Sequence, residues 1–314
     1  MEEKNKNQKE QELIDLDEEG KPLSIESEIK HISSKNLKQN LIIFFTILFL
    51  YLINKMFISA KRRKVFLKFK TSEDIYYNVS EVITNFIRHN PNARIGLSYG
   101  ESIEGVYKHL VDKYEKGEIS FKNVSFYSFD GLCGLKKDNN LSYYYAINNT
   151  FLSKIDVQRK NIFLINEGGY MLFDYENNAE EYDDILRENP IDLQILIMEE
   201  NGNIGFLDQD TDYDSYSHIV KLSPEIRKKM EKKFILLENV PIYGITQGIK
   251  NIYDAKQIIV ISIGKDKAKD IKILLNGVFT QKSPITALNK HSGKVTVYSD
   301  EDAGSLINET NKNF

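Results

Sequence analysis

Asp130 ends an apolar run, "FYSFDGLCGL", and glycines follow it at 131 and 134. A carboxylate at the end of a strand can move a proton as a general base, or it can cap the next helix. Three other stretches hold polar groups in the same kind of place. In "LSYGES" the chain turns at Gly100 into Glu101 and Ser102. The free N–H groups of a helix start could cradle an anion there. In "SIGKDKA", Lys267 stands where it could meet a phosphate or remain solvated. In "MEENGNIGF", Glu199, Glu200, Asn201 and Asn203 crowd a turn that follows the buried run "IDLQILI". Ligands of open α/β sheets bind outside the carboxyl ends of the strands, so turns of this kind are where a site is expected.

The elements that must position these residues can be read from periodicity. "KVFLKF", "ARIGLSYG", "VSFYSFDGL", "NIFLIN", "IDLQILIM", "QIIVISIG" and "KVTVYSD" read as strands. "SEDIYYNVSEVITNFIRHN", with Ser72 as N-cap, reads as a helix, as do "SIEGVYKHLVDKYEKGE", "LSYYYAINNTFLSKI", "NAEEYDDILREN", "SPEIRKKMEKKF" and "KDKAKDIKILLNG". Strands alternating with helices predict an α/β fold over residues 64–314: a doubly wound, mostly parallel sheet with helices on both faces.

Residues 1–40 are polar and charged without periodicity, and predict a disordered segment. Residues 41–59, "LIIFFTILFLYLINKMFIS", predict one transmembrane helix, close to the length that crosses a bilayer. Lys61, Arg62, Arg63 and Lys64 follow it, which places the C-terminal domain in the cytosol by the positive-inside rule. The net charge of −4 gives no reason to expect a nucleic-acid partner. Cys133 is the single cysteine, so no internal disulfide can form. The five histidines never fall at metal-ligand spacing, so no metal site is expected, and no cofactor either.

The order of glycine turn, acid at a strand end, second glycine turn and lysine at a strand end resembles the glucosamine-6-phosphate deaminase/isomerase family. "YKHLVDKYEKGEISFKNVSFYSFDGLCGL" is similar to the family's stretch from its phosphate loop to "FNMDEYVGL". "LSYYYAINNTFLSKIDV", "GITQGIKNIYDAKQIIVISIGKDKA" and "ITALNKH" follow in the family's order, and "DLQILIMEENGNIGF" takes the place of "DLFVGGIGPDGHIAF". The correspondence runs from about residue 64 to 306. 6-Phosphogluconolactonase shares the fold, but its corresponding strand usually ends in an acid–arginine pair.

The resemblance implies that Asp130 moves the proton between C1 and C2 of an open-chain sugar, and that Lys267 and Lys232 hold a sugar phosphate with Gly100 and Ser102. It also marks departures. Asn203 stands where the family has the histidine that opens the sugar ring, Asn201 replaces an acid of its relay, and Asp208 stands for a glutamate. Glu101 replaces a phosphate-loop glycine, and Gly131 replaces the acid beside the base. An amide cannot accept and return a proton near neutral pH, and lost general acid–base catalysis costs about 10²–10⁴ in rate. The expectation is therefore a membrane-anchored, deaminase-like pseudoenzyme, forming homo- or hetero-oligomers with related subunits. The alternatives are an active or residual deaminase, converting glucosamine 6-phosphate and water to fructose 6-phosphate and ammonia, or a binder of another sugar phosphate. Asp130, Glu199 and Glu200 could also tolerate a cation in such a binder.

Overall fold

The computed structural model describes Phe45, Thr46, Phe49, residues 64–308 and residues 311–314. The expected disordered segment and nearly all of the expected membrane segment lie outside these residues. Phe45, Thr46 and Phe49 are helical. Among the described residues, no helix is long and apolar enough to cross a membrane. Two compact units divide the chain, Met1–Ala60 and Lys61–Phe314, and the second contains every element that follows.

In chain order these are β1 (Lys64–Lys68), α1 (Ser72–His89), β2 (Arg94–Leu97), α2 (Glu101–Glu115), β3 (Ser125–Ser128), β4 (Asp130–Leu132), α3 (Tyr143–Thr150), β5 (Ile162–Phe163) and α4 (Leu172–Glu188). Then come β6 (Leu193–Ile197), β7 (His218–Lys221), α5 (Pro224–Phe234), β8 (Tyr243–Thr246), α6 (Ile249–Asp254), β9 (Gln257–Ser262), α7 (Ala268–Leu275), β10 (Lys294–Ser299) and β11 (Asn311–Asn313). The large sheet runs β11-β1-β10-β9-β6-β2-β3-β5. It is parallel except for β11, which pairs antiparallel with β1.

Successive strand residues point to opposite faces, and this sheet buries both. In β9, Ile259 and Ile261 pack with α1 and α2 through Ile75, Val79, Ile103 and Val106. Ile258 and Val260 pack on the other face with α4, α6 and α7, through Tyr182, Leu186, Ile252 and Ile271. Helices therefore cover both faces, as the alternating pattern predicts. The cap of α1 is Thr71 rather than Ser72. The Thr71 hydroxyl accepts from the Asp74 amide at 3.1 Å, and the Asp74 carboxylate accepts from the Thr71 amide at 3.0 Å, closing a capping box.

One feature departs from a single parallel sheet. β4, β8 and β7 form a separate antiparallel sheet of three strands. The run "VSFYSFDGL" is not one strand. It breaks at Phe129, whose N–H still bonds Leu97 of the large sheet at 2.8 Å while its carbonyl accepts from Gln247 at 2.9 Å. The chain changes sheets there, and Asp130 is the first residue on the far side.

Candidate active site

β2, β6 and β9 are parallel neighbours, so their carboxyl ends share one edge of the sheet. At that edge lies a cavity of about 710 Å³. Gly100, Glu101 and Ser102 line it from the start of α2, Glu199, Glu200 and Asn203 from the turn after β6, and Lys267 from the turn after β9. Asp130 lines it from β4, and one face of α5 closes it.

The turn after β2 is fixed from beneath. The buried Ser98 hydroxyl donates to the Ile195 carbonyl at 2.9 Å, and the Tyr107 hydroxyl donates to the Ser98 carbonyl. Gly100 then takes φ 153°, which brings the α2 N-terminus to the cavity. Glu101 is exposed and has no side-chain partner among the described residues.

Asp130 is only 5 % exposed. It opens β4 and caps no helix among the described residues. Burial, then the carboxylates of Glu199 and Glu167, hold its carboxyl well above the usual range. Gly205, at φ +53°, passes so close that a Cβ there would lie 2.4 Å from Asp130 Oδ2. The residue is glycine because both the backbone angle and the approach demand it. A Cβ at Gly131 would itself lie 2.9 Å from both Cγ and Oε1 of Glu167, too close to fit unless that side chain moved. The Glu167 carboxylate thus occupies the space beside Gly131. It accepts from the Leu132 and Tyr143 amides at 3.0 and 2.8 Å. Burial pushes it up to about 7, against hydrogen bonds from Ser142 and from the Leu132, Tyr143 and Tyr144 amides.

An aromatic wall completes the cavity. Tyr143 lies 4.2 Å from Tyr99 and 5.9 Å from Phe206, centroid to centroid. Lys233 sits 5.4 Å above the Tyr99 ring. Lys229 is paired with Glu200, and Lys267 with Asp266 at 2.7 Å. Such a pocket offers backbone N–H groups at a helix start, cations, flat aromatic surface, and a buried carboxyl.

Of the nine residues to which the resemblance gives a catalytic or phosphate-binding position, six come together here: Gly100, Glu101, Ser102, Asp130, Asn203 and Lys267. Three do not line the cavity. Lys232 lies off the α5 face that does, where Lys229 and Lys233 take its place beside Ile226 and Met230. Spacing of three and four along the helix gives this face, and a count from Ile226 would have found it. Asn201 is exposed in a left-handed conformation, φ 59°. Asp208 folds into its own loop, accepting from the Asp210 amide at 3.0 Å while its N–H donates to Thr211. Of positions 201, 203 and 208, only Asn203 lines the cavity. Glu167 carried no motif and was missed. Among the described residues, no group of three or more His, Cys, Asp or Glu could hold a metal ion, Asp130 with Glu199 and Glu200 included.

Residues 69–297 match the sequence model of the glucosamine-6-phosphate isomerases/6-phosphogluconolactonase. A glucosamine-6-phosphate deaminase of Thermoanaerobacter sp. (strain X514) is 34% identical over 236 residues, which cover 75% of this chain and 92% of that protein. Glucosamine-6-phosphate deaminase 1 of Bacillus subtilis (strain 168) is 30% identical, over 76% of this chain and 97% of the relative. Among solved structures, a monomeric glucosamine-6-phosphate deaminase superposes with a TM-score of 0.72 at 29% identity, covering 77% of this chain and 99% of its own. A 6-phosphogluconolactonase from Trypanosoma brucei, at 14% identity and a TM-score of 0.65, shares the fold.

Proposed function

The chain belongs to the glucosamine-6-phosphate isomerase/6-phosphogluconolactonase family, and on that premise we propose a deaminase-like protein that binds a hexosamine phosphate but turns it over poorly. One observation carries the reading. Asp130 is buried at the cavity wall while Asn203 occupies the turn that would have to open the sugar ring.

In this reading the phosphate lies at the α2 N-terminus near Lys267, and the sugar ring lies against Tyr99 and Tyr143. Asp130 takes a proton from C2 of the open-chain amino sugar and delivers it to C1. Water then releases ammonia and leaves fructose 6-phosphate. What is missing is an efficient group for the ring opening that precedes this, and Asp208 is turned into its own loop. The reading extends to the remaining sequence: residues 41–59 anchor the protein in a membrane, with the domain on the cytosolic side, and related subunits assemble with it.

The test is ammonia release from glucosamine 6-phosphate, with Asp130→Asn as control and an active family member alongside. Glucosamine 6-phosphate is expected to raise the melting temperature through linkage. Turnover is expected about 10²–10⁴ below that of the active relative. Turnover equal to the relative's and abolished in Asp130→Asn overturns the impairment. Absence of any binding overturns the ligand.

A further inference from the structure

Ring opening is itself a proton transfer. The C1 hydroxyl gives up its proton, the C1–O5 bond breaks as the C1 carbonyl forms, and O5 gains a proton. The carrier begins and ends in the same state, so any group that accepts and returns one proton within reach of both oxygens can serve. Asn203 cannot. Glu199, a titratable group in the same turn, has no part in the reaction as described so far.

Several observations single it out. The Glu199 N–H donates to the Asn203 carbonyl at 2.9 Å, so the two residues face each other across one tight turn. Both line the cavity with Asp130. The next carboxylate, Glu200, is engaged by Lys229. The Glu199 side chain has no hydrogen bond or ion pair among the described residues, so its carboxylate is available to a ligand. Its charge is felt by Asp130 and by the Tyr143 hydroxyl, groups on other walls of the same cavity. Glu101, Lys233 and Lys267 are the other charged groups that line this space.

We propose that Glu199 is the proton carrier for ring opening, taking the proton from the C1 hydroxyl and returning it to O5, while Asp130 keeps the C1–C2 transfer. This rests on the reading that a hexosamine phosphate binds here. It makes the slow chemistry of the protein a property of a substituted carrier rather than of an empty position.

Exchange between the α and β anomers of glucosamine 6-phosphate, followed by magnetisation-transfer NMR with the full chain, reads ring opening apart from ammonia release. Thermal shift with the same sugar reads binding. The full chain is expected to speed anomer exchange over buffer. Glu199→Gln should still bind the sugar but lose about 100-fold of that acceleration. Glu199→Asp, one methylene shorter but still able to titrate, should keep part of it. A Gln variant that exchanges anomers as fast as the parent overturns the assignment. So does a parent that binds the sugar without speeding exchange, and in both cases the binding reading stands. A parent that binds no sugar phosphate overturns both.

Discussion

Asp130 can act as a base only when ionised, and its surroundings resist ionisation. Burial is the first cause, and the charges of Glu199 and Glu167 add to it. Any residual turnover should therefore rise with pH along an acid limb that lies above the ordinary carboxylate range. A pH–rate profile of ammonia release measures this, and a limb near pH 4 would contradict it. Glu167 gives a prediction that needs no turnover. Its carboxyl is raised from 4.5 to about 7 in the fold. A raised acid contributes stability that is fully present below the unfolded value and is lost as pH rises through the folded one. The parent should thus lose about 3 kcal/mol relative to Glu167→Gln between pH 4.5 and pH 8. Urea unfolding of both proteins at several pH values reads the difference. A gap that stays constant with pH would show that Glu167 titrates normally.

At the scale of elements, α5 decides how the cavity meets a phosphate. Its face carries Ile226, Lys229, Met230 and Lys233, while Lys232 lies off it. Lys229 is already engaged by Glu200, so Lys233 is the cation of this helix best placed for a ligand. Lys233→Ala should weaken binding of a hexosamine phosphate by roughly fivefold to tenfold, about what a partly solvated charge contact contributes. Lys232→Ala should change it by less than about twofold. Isothermal titration on both variants decides, and equal losses would remove the distinction between the two faces. The same helix shows what was legible in the sequence. The string "SPEIRKKMEKKF" reads as a helix, and the Ser223 hydroxyl caps it by accepting from the Ile226 amide. Which lysine faces the cavity followed only once the apolar face was fixed. The parallel sheet was legible because β6 and β9 are largely apolar, with Ile195–Ile197 and Ile258–Ile261 unbroken. The antiparallel sheet was not. β4, β7 and β8 are three or four residues long, and β4 is buried at every position, so none displays an alternation. Asp130 and the glycine turns could be read because strand ends have a recognisable chemistry. Glu167 could not, because its role comes from a contact with Gly131 and two amides that are distant in sequence.

At the scale of the whole molecule, the catalytic reading concerns only the unit Lys61–Phe314, and the chain has more to it. Leu41 to Ile53 contains a single polar residue, Thr46, and the apolar character extends to Ile58 across Asn54 and Lys55. About 20 such residues in a helix span the hydrocarbon core of a bilayer, and a lysine near one end can reach the interface. Lys61–Lys64 would then hold the following domain on the cytosolic side. The family model matches residues 69–297, so an anchor at residues 41–59 would add location to a family that the match itself does not localise. The full chain is therefore expected to sediment with membranes and to stay there after alkaline carbonate, while a chain lacking residues 41–59 should remain in the supernatant. Protease added outside sealed cells should leave the domain intact, and detergent should expose it. Release of the full chain by carbonate would remove the anchor, and cleavage without detergent would reverse the orientation while leaving the anchor in place.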